Sequence, residues 1–278
     1  MKRRKNLLVF TDLDGTLLDH NTYSFNKALP ALKELKKRRI PLILCSSKTR
    51  VEMEEYSKKL GIRHPFIFEN GGAIFIPSGY FSGKLKGLKK VDGYQVHELG
   101  TPYQRLREIF LKTMQEFNLR ARGFGDMSAK EIASLCNLTL KQAKLAKKRE
   151  YNEPFYFAKR VDSKTVGALK KRFASQRLNL TRGGRFYHLT GKNDKGKAVS
   201  ILIRWYKREH PKGIFTVGVG DSLNDLPLLE AVEFPILVKK PAGRYENMIK
   251  KKLNPFLAKG IGPQGWNRAI LEVIDKYS

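Results

Sequence analysis

Apolar positions fall along this chain in two rhythms. Residues 6–11 form a short apolar run with Val and Phe, and residues 40–45 form another. Each is long enough for a buried strand and too short for a helix. Between them, residues 25–37 place Leu29, Leu32 and Leu35 at helical spacing. Strand, helix, strand predicts a parallel sheet with helices packed on it. Thr49 and Glu52 have capping-box spacing and Gly61 supplies a stop, so residues 50–60 read as a helix. Residues 66–68 and 73–76 flank Gly71-Gly72 and read as a hairpin.

From about Gly83 to Leu189 the rhythm changes to several helical stretches, and this part reads as an inserted module. Ser128 with Glu131 and Thr139 with Gln142 have capping-box spacing, opening a short helix and then a basic one through Arg149. Residues 165–176 are a further helix. Residues 178–181 and 185–189 flank Gly183-Gly184 as a second, half-exposed hairpin. The first rhythm then returns. Asp194 can cap a helix over residues 195–208, residues 214–219 and 235–238 read as strands, and residues 266–277 as a closing helix.

Composition narrows the class. The chain has 278 residues, ample for a large core, with 55 Lys+Arg against 26 Asp+Glu, a net charge of +29. Hydrophobic residues still make up 41%, which excludes a disordered basic tail protein. No run approaches the ~18 residues of a membrane helix and no signal peptide is visible. Cys45 and Cys136 lie far apart without metal-type spacing, so neither a disulfide scaffold nor a zinc site is expected, and a reducing cytoplasm fits. Lys and Arg recur along the whole chain rather than in one block, which weighs against nucleic acid as the partner.

The chemistry lies at the strand ends. Asp12 and Asp14 stand just beyond a buried strand, and two carboxylates so close repel unless a cation or a shared proton intervenes. A hard cation such as Mg2+ suits them. An Asp-x-Asp pair alone is usually a solvated turn, but Asp221 and Asp225 follow a second Val-rich strand, and Ser46 follows residues 40–45. In an open parallel sheet these ends converge on one ligand site. The segment from Gly191 to Ala198 nearly matches a nucleotide phosphate loop, but Ala198 stands where the magnesium-binding hydroxyl is needed.

Four segments together carry a resemblance. Asp12-Leu13-Asp14-Gly15-Thr16-Leu17, Ser46, Lys195 and Gly220-Asp221-Ser222-Leu223-Asn224-Asp225 resemble, in order, the four signatures of the haloacid dehalogenase-like phosphatase superfamily. Residues 44–50, 65–77 and 184–189 resemble its mannosyl-3-phosphoglycerate phosphatase branch, whose members release mannosylglycerate, a compatible solute. Ser47-Lys48 stands where the broader sugar-phosphatase branch commonly has Gly-Arg. The resemblance implies an α/β fold: a doubly wound (Rossmann-like) parallel-sheet core over residues 1–82 and 190–278, with an inserted α+β cap domain over residues 83–189.

It also implies roles. Asp12 would be the nucleophile that forms an aspartyl-phosphate, and Asp14 the general acid and base. Ser46 and Lys195 would bind phosphoryl oxygens. Mg2+ would be held by Asp12, the Asp14 backbone carbonyl and Asp221, with Asp225 as a further ligand or an orienting group. The small phosphorylated sugar-glycerate substrate would meet Ser47, Lys48, Arg50, Asn70, Gly71, Arg182, Arg185 and Asn224 beside Ser46 and Lys195. Glu69 faces the substrate or only shapes its turn, and His188 reads as a satisfied histidine. Related readings are a glucosyl-3-phosphoglycerate or sucrose-phosphate phosphatase, or a phosphomutase. A nucleic-acid-binding protein is the reading from a different class. Oligomeric state is left open.

Overall fold

The computed structural model describes residues 6–83, 85, 87–183 and 186–277. In chain order the elements begin with β1 (Leu7–Thr11), α1 (Leu29–Lys37), β2 (Leu42–Cys45), α2 (Arg50–Leu60), β3 (Phe66–Phe68), β4 (Ala73–Pro77), β5 (Lys89–Val91) and β6 (Tyr94–Glu98). There follow α3 (Tyr103–Glu116), β7 (Ala121–Gly123), α4 (Ala129–Cys136), α5 (Leu140–Ala146), β8 (Asn152–Phe157), α6 (Ser163–Ser175), β9 (Asn179–Gly183) and β10 (Phe186–Thr190). The chain closes with α7 (Lys195–Glu209), β11 (Phe215–Gly220), α8 (Leu226–Glu230), β12 (Phe234–Lys239), α9 (Asn247–Leu253), β13 (Phe256–Ile261) and α10 (Gly262–Tyr277).

The large sheet has nine strands in the order β13-β12-β11-β1-β2-β3-β4-β6-β5. Strands β13 through β3 run parallel, and the β3–β4, β4–β6 and β6–β5 pairs are antiparallel. Both faces are covered, as the short, largely apolar and buried central strands β1, β2 and β3 require. Along β1, Leu7 and Val9 pack into one core with α1 and α10, while Leu8 and Phe10 pack into another with α7 and α8. This is the parallel sheet that the rhythm of the sequence predicts, in the doubly wound α/β form that the resemblance implies.

Between β6 and α7 lies the α+β insertion, built on a four-stranded antiparallel sheet in the order β7-β8-β10-β9. Leu106, Phe110, Leu169 and Phe173 of α3 and α6 cover one face, meeting Phe155, Leu180 and Leu189. The capping boxes at Thr49, Ser128 and Thr139 and the Asp194 cap form as read.

The differences have local causes. Residues 94–98 pair with β4 and residues 89–91 pair with β6, so this stretch, expected in the insertion, extends the large sheet. Helix α5 stops at Ala146 rather than continuing to Arg149, because the chain turns back to the core, where Arg149 donates to the Ser47 carbonyl at 2.9 Å. Strand β8 was not anticipated: Pro154, paired with His188, lacks an N–H, which ordinarily argues against an interior strand.

Candidate active site

Strands β11, β1 and β2 are neighbours, so Asp12, Ser46, Asp221 and Asp225 meet at their carboxyl ends. The Asp12 N–H donates to the Val219 carbonyl at 2.9 Å, which ties the β1 end to β11. Behind it, the indole of fully buried Trp266 donates to Thr11 Oγ1 at 2.9 Å. Lys195 opens α7, whose N-cap Asp194 accepts the Lys197 N–H at 2.8 Å. That capped helix end aims Lys195 inward, where it is wholly buried.

The centre is an ionic cluster. Lys195 Nζ lies 2.6 Å from Asp12 Oδ1 and 2.7 Å from Asp225 Oδ1. The other Asp225 oxygen accepts the N–H groups of Asp221 and Ser222 at 3.0 and 3.1 Å. Asp221 Oδ1 accepts from the hydroxyls of Thr16 and Ser222 at 3.3 and 3.2 Å. Asp12, Asp221 and Asp225 offer carboxylate oxygens all within 4.8 Å of one another, and all three residues are buried.

The single Lys195 ammonium cannot neutralise these three carboxylates. Burial, then Asp225, raises the Asp12 carboxyl well above its usual range despite Lys195. Burial and Asp225 likewise push Asp221 up to about 7. For Lys195, burial acts to lower its affinity for a proton, but Asp12 and Asp225 outweigh it and the ammonium is held charged. An all-oxygen donor set with excess negative charge fits a hard divalent cation, whose positive charge would restore these acids to their ionised forms.

A cleft of about 590 Å3 opens above the cluster, lined by Asp12, Asp14, Ser47, Asn70, Arg182, Lys195 and Asn224 among the expected residues. Ser46 lies beneath, fully buried, its hydroxyl accepting the Lys48 N–H at 3.3 Å. Gly71 packs under the α7 entry, where a Cβ would stand 2.1 Å from the Asp194 carbonyl oxygen.

Lys48 and Arg50, expected to meet the substrate, do not line the cleft. Lys48 is buried with Nζ 2.9 Å from Asp14 Oδ1 and lies over the rings of Tyr23 and Tyr56. Arg50 is engaged by Glu54 and Glu150 at 3.0 and 2.9 Å. Arg182 reaches the cleft rim, while its guanidinium lies over Tyr187 at 5.5 Å in a separate cavity of the insertion. Arg185 lies outside the described residues.

Among the cleft residues that the sequence reading did not offer as ligand contacts, Asn179, Thr181, His188 and Thr190 form one wall, and Asn193, Lys240 and Glu246 also line the cleft. The register pairs Asn179 with Thr190 and Thr181 with His188, so they share one face of β9–β10. Their intervening neighbours Leu180 and Leu189 fill the core behind. The signal was the local alternation itself, Asn179-Leu180-Thr181 on one strand and His188-Leu189-Thr190 on the other. His188 is satisfied, as read, by Asn152 at 3.2 Å, yet it also lines the cleft.

Comparison with known proteins agrees with this geometry. Residues 9–244 match the family described as haloacid dehalogenase-like hydrolase. A glucosyl-3-phosphoglycerate/mannosyl-3-phosphoglycerate phosphatase of Methanococcoides burtonii is 46% identical over 270 residues, covering 97% of each chain. A mannosyl-3-phosphoglycerate phosphatase of Pyrococcus furiosus is 37% identical over 231 residues, 83% of this chain and 90% of its own. The solved structure of Thermoplasma acidophilum 0175 superposes with a TM-score of 0.66 at 18% identity, covering 96% of this chain and 98% of the other, and shares the fold. With the acids and the serine at the strand ends and the lysine at the start of α7, all in signature order, the chain belongs to the haloacid dehalogenase-like hydrolase family.

Proposed function

We propose that this protein is a magnesium-dependent phosphatase that hydrolyses mannosyl-3-phosphoglycerate to mannosylglycerate and phosphate. The observation that carries the chemistry is the buried Asp12–Lys195–Asp225 bridge on the cleft floor. Lys195 occupies Asp12 Oδ1, which leaves the other carboxylate oxygen for attack on phosphorus. The P–O bond to the sugar-glycerate then breaks as Asp14, also in the cleft, gives its proton to the departing oxygen. In the second half, Asp14 takes a proton from water, whose oxygen attacks the aspartyl-phosphate, releasing phosphate and restoring Asp12. Lys195 and the hydroxyl of Ser47 in the cleft, with Ser46 supporting the loop, offset charge on the phosphoryl oxygens.

Asp12, Asp221 and the Asp14 backbone carbonyl would hold Mg2+, which supplies charge neutralisation at the phosphoryl group. Asp225 orients that set, since Lys195 and two backbone N–H groups already engage both its oxygens. Lys48 serves Asp14 rather than the substrate, its Nζ holding Asp14 Oδ1 at 2.9 Å and so fixing where that carboxyl points.

The substrate class follows from the wall opposite the acids. Asn179, Thr181, His188 and Thr190 present hydrogen-bonding groups without formal acids or lysines, suited to sugar hydroxyls. The Methanococcoides burtonii relative, which spans 97% of this chain, carries both sugars in its name, and that favours glucosyl-3-phosphoglycerate as a second substrate. The wall belongs to a cap taken here as residues 101–190, beginning after β6 because β5 and β6 pair with the core sheet. Neither Cys45 nor Cys136 forms a disulfide, which supports action in a reducing cytoplasm.

The test is phosphate release with magnesium from mannosyl- and glucosyl-3-phosphoglycerate, sucrose phosphate, hexose phosphates and nucleotides. The expected result is a marked preference for the glycosyl-phosphoglycerates that Asp12→Asn abolishes while remaining folded. Equal weak rates on every ester would defeat the substrate assignment, and normal turnover by folded Asp12→Asn would defeat the mechanism.

A further inference from the structure

The loop at residues 69–72 touches each segment that passes between the two sheets. Its Gly72 carbonyl accepts the N–H groups of Leu99 and Gly100 at 2.9 and 2.8 Å, on the way out from β6. Its Asn70 carbonyl accepts the Asn193 side-chain amide at 3.3 Å, on the way back to α7. Where the chain dips to the core between α5 and β8, Glu69 Oε1 accepts the Glu150 N–H at 2.9 Å and Oε2 accepts the Tyr151 N–H at 2.7 Å. The same loop is bound to the catalytic end: Asn70 N–H donates to the Ser46 carbonyl at 3.0 Å, and Asn70 Oδ1 accepts from Asn224 at 3.3 Å.

Glu69 is held there against its own preferences. Its carboxylate is fully buried, and Glu69 and Asn70 sit consecutively at φ +46° and +55°. Non-glycine residues in that region persist only where surroundings over-determine them. Tyr151 is wedged between Gly72 and Gly100, either of which would place a Cβ 2.7 Å from the tyrosine Cβ. The next residue, Asn152, reaches His188 of the cleft wall at 3.2 Å. A short covalent and hydrogen-bonded path therefore runs from Glu69 through Tyr151 and Asn152 to the wall.

We propose that Glu69 is a positioning residue: by holding the Glu150 and Tyr151 N–H groups against the loop that carries Asn70, it sets the separation between the cap wall and the acids of the core. Here each N–H has its own oxygen, an arrangement that a carboxylate provides and a carboxamide, with an NH2 in place of the second oxygen, does not. A substrate spanning both sheets depends on that separation, whereas a small phosphate ester seated on Asp12 does not. The inference rests on the phosphatase reading above.

The experiment compares wild type and Glu69→Gln on mannosyl-3-phosphoglycerate and on para-nitrophenyl phosphate, with thermal melts alongside. For the glycosyl ester, kcat/KM is expected to fall by about 10- to 100-fold, mostly through KM, the scale at which misplacement by an ångström is felt. The small ester is expected to keep its rate within about threefold and the variant to melt within a few degrees of wild type. Equal loss on both esters, or no loss on either, overturns the proposal. Should Glu69→Gln fail to fold, Glu69→Asp, which keeps both oxygens but withdraws them by one methylene, is judged by the same criteria. A wild type that releases no phosphate overturns both readings, whereas an active wild type with unaffected variants overturns only this one.

Discussion

At the scale of the residue, Lys195 decides what the cleft can do. A lysine with no solvent exposure is tolerated only when paired, and its two carboxylate partners at 2.6 and 2.7 Å are the pairing. Lys195→Met would leave Asp12 and Asp225 facing each other across an apolar side chain. Breaking a buried pair in this way costs about 3–5 kcal/mol. We expect a lowered melting temperature in metal-free buffer together with loss of turnover, checked by thermal melts and phosphate release. Full stability in the variant would show that the carboxylates do not depend on the ammonium. The motif series marked Lys195 in the sequence, where on composition it was one basic residue among 55. Its burial was not legible there, because it depends on Asp12, 183 positions away, arriving beside it.

At the scale of the element, the apolar strands and capped helices were readable because their causes are local. A capping box needs only Thr49 and Glu52, and β1 needs only its run of apolar side chains. The clamp at Glu69 was not readable, since its partners lie 81 and 82 residues on. Its titration supplies a separate test. Burial pushes the Glu69 carboxyl up to about 7 despite Arg149 and the two backbone N–H groups, while Glu150 adds to the rise. The folded chain thus keeps a proton that the unfolded chain releases near the ordinary value of 4.5. The stabilisation is complete below that value and is lost as pH rises through about 7, an effect of order 3 kcal/mol. Denaturant melts across pH 5–8 should show stability falling, with a shallower slope in Glu69→Gln. Equal slopes would mean that Glu69 is ionised throughout.

At the scale of the whole molecule, charge and the cation site act together. The net charge of +29 draws an acidic substrate toward a cleft whose floor is itself acidic. Without a cation, Asp12 and Asp221 resist ionisation, so magnesium should raise the melting temperature at pH 8 by several degrees, as ligand at ~100 times its Kd contributes about 2.7 kcal/mol. Chelator should reverse the shift, and Asp221→Asn should reduce it. An unchanged melt with magnesium would defeat the cation assignment without any appeal to turnover. Among the described residues no helix is long and apolar enough to cross a membrane.

The sequence by itself determined the alternation of buried strands and helices, the order of the four signatures and hence the family, because these rest on side-chain type at short spacing. Only the tertiary structure decided that Lys48 turns to Asp14 and Arg50 to Glu150, that β5 and β6 join the core sheet, and that Asn179, Thr181, His188 and Thr190 of β9 and β10 line the cleft with the acids. Those outcomes depend on which distant charges and sheet edges meet once the chain is closed. A side chain's reach and its partner's position are then fixed by packing across the whole fold rather than by its neighbours in sequence.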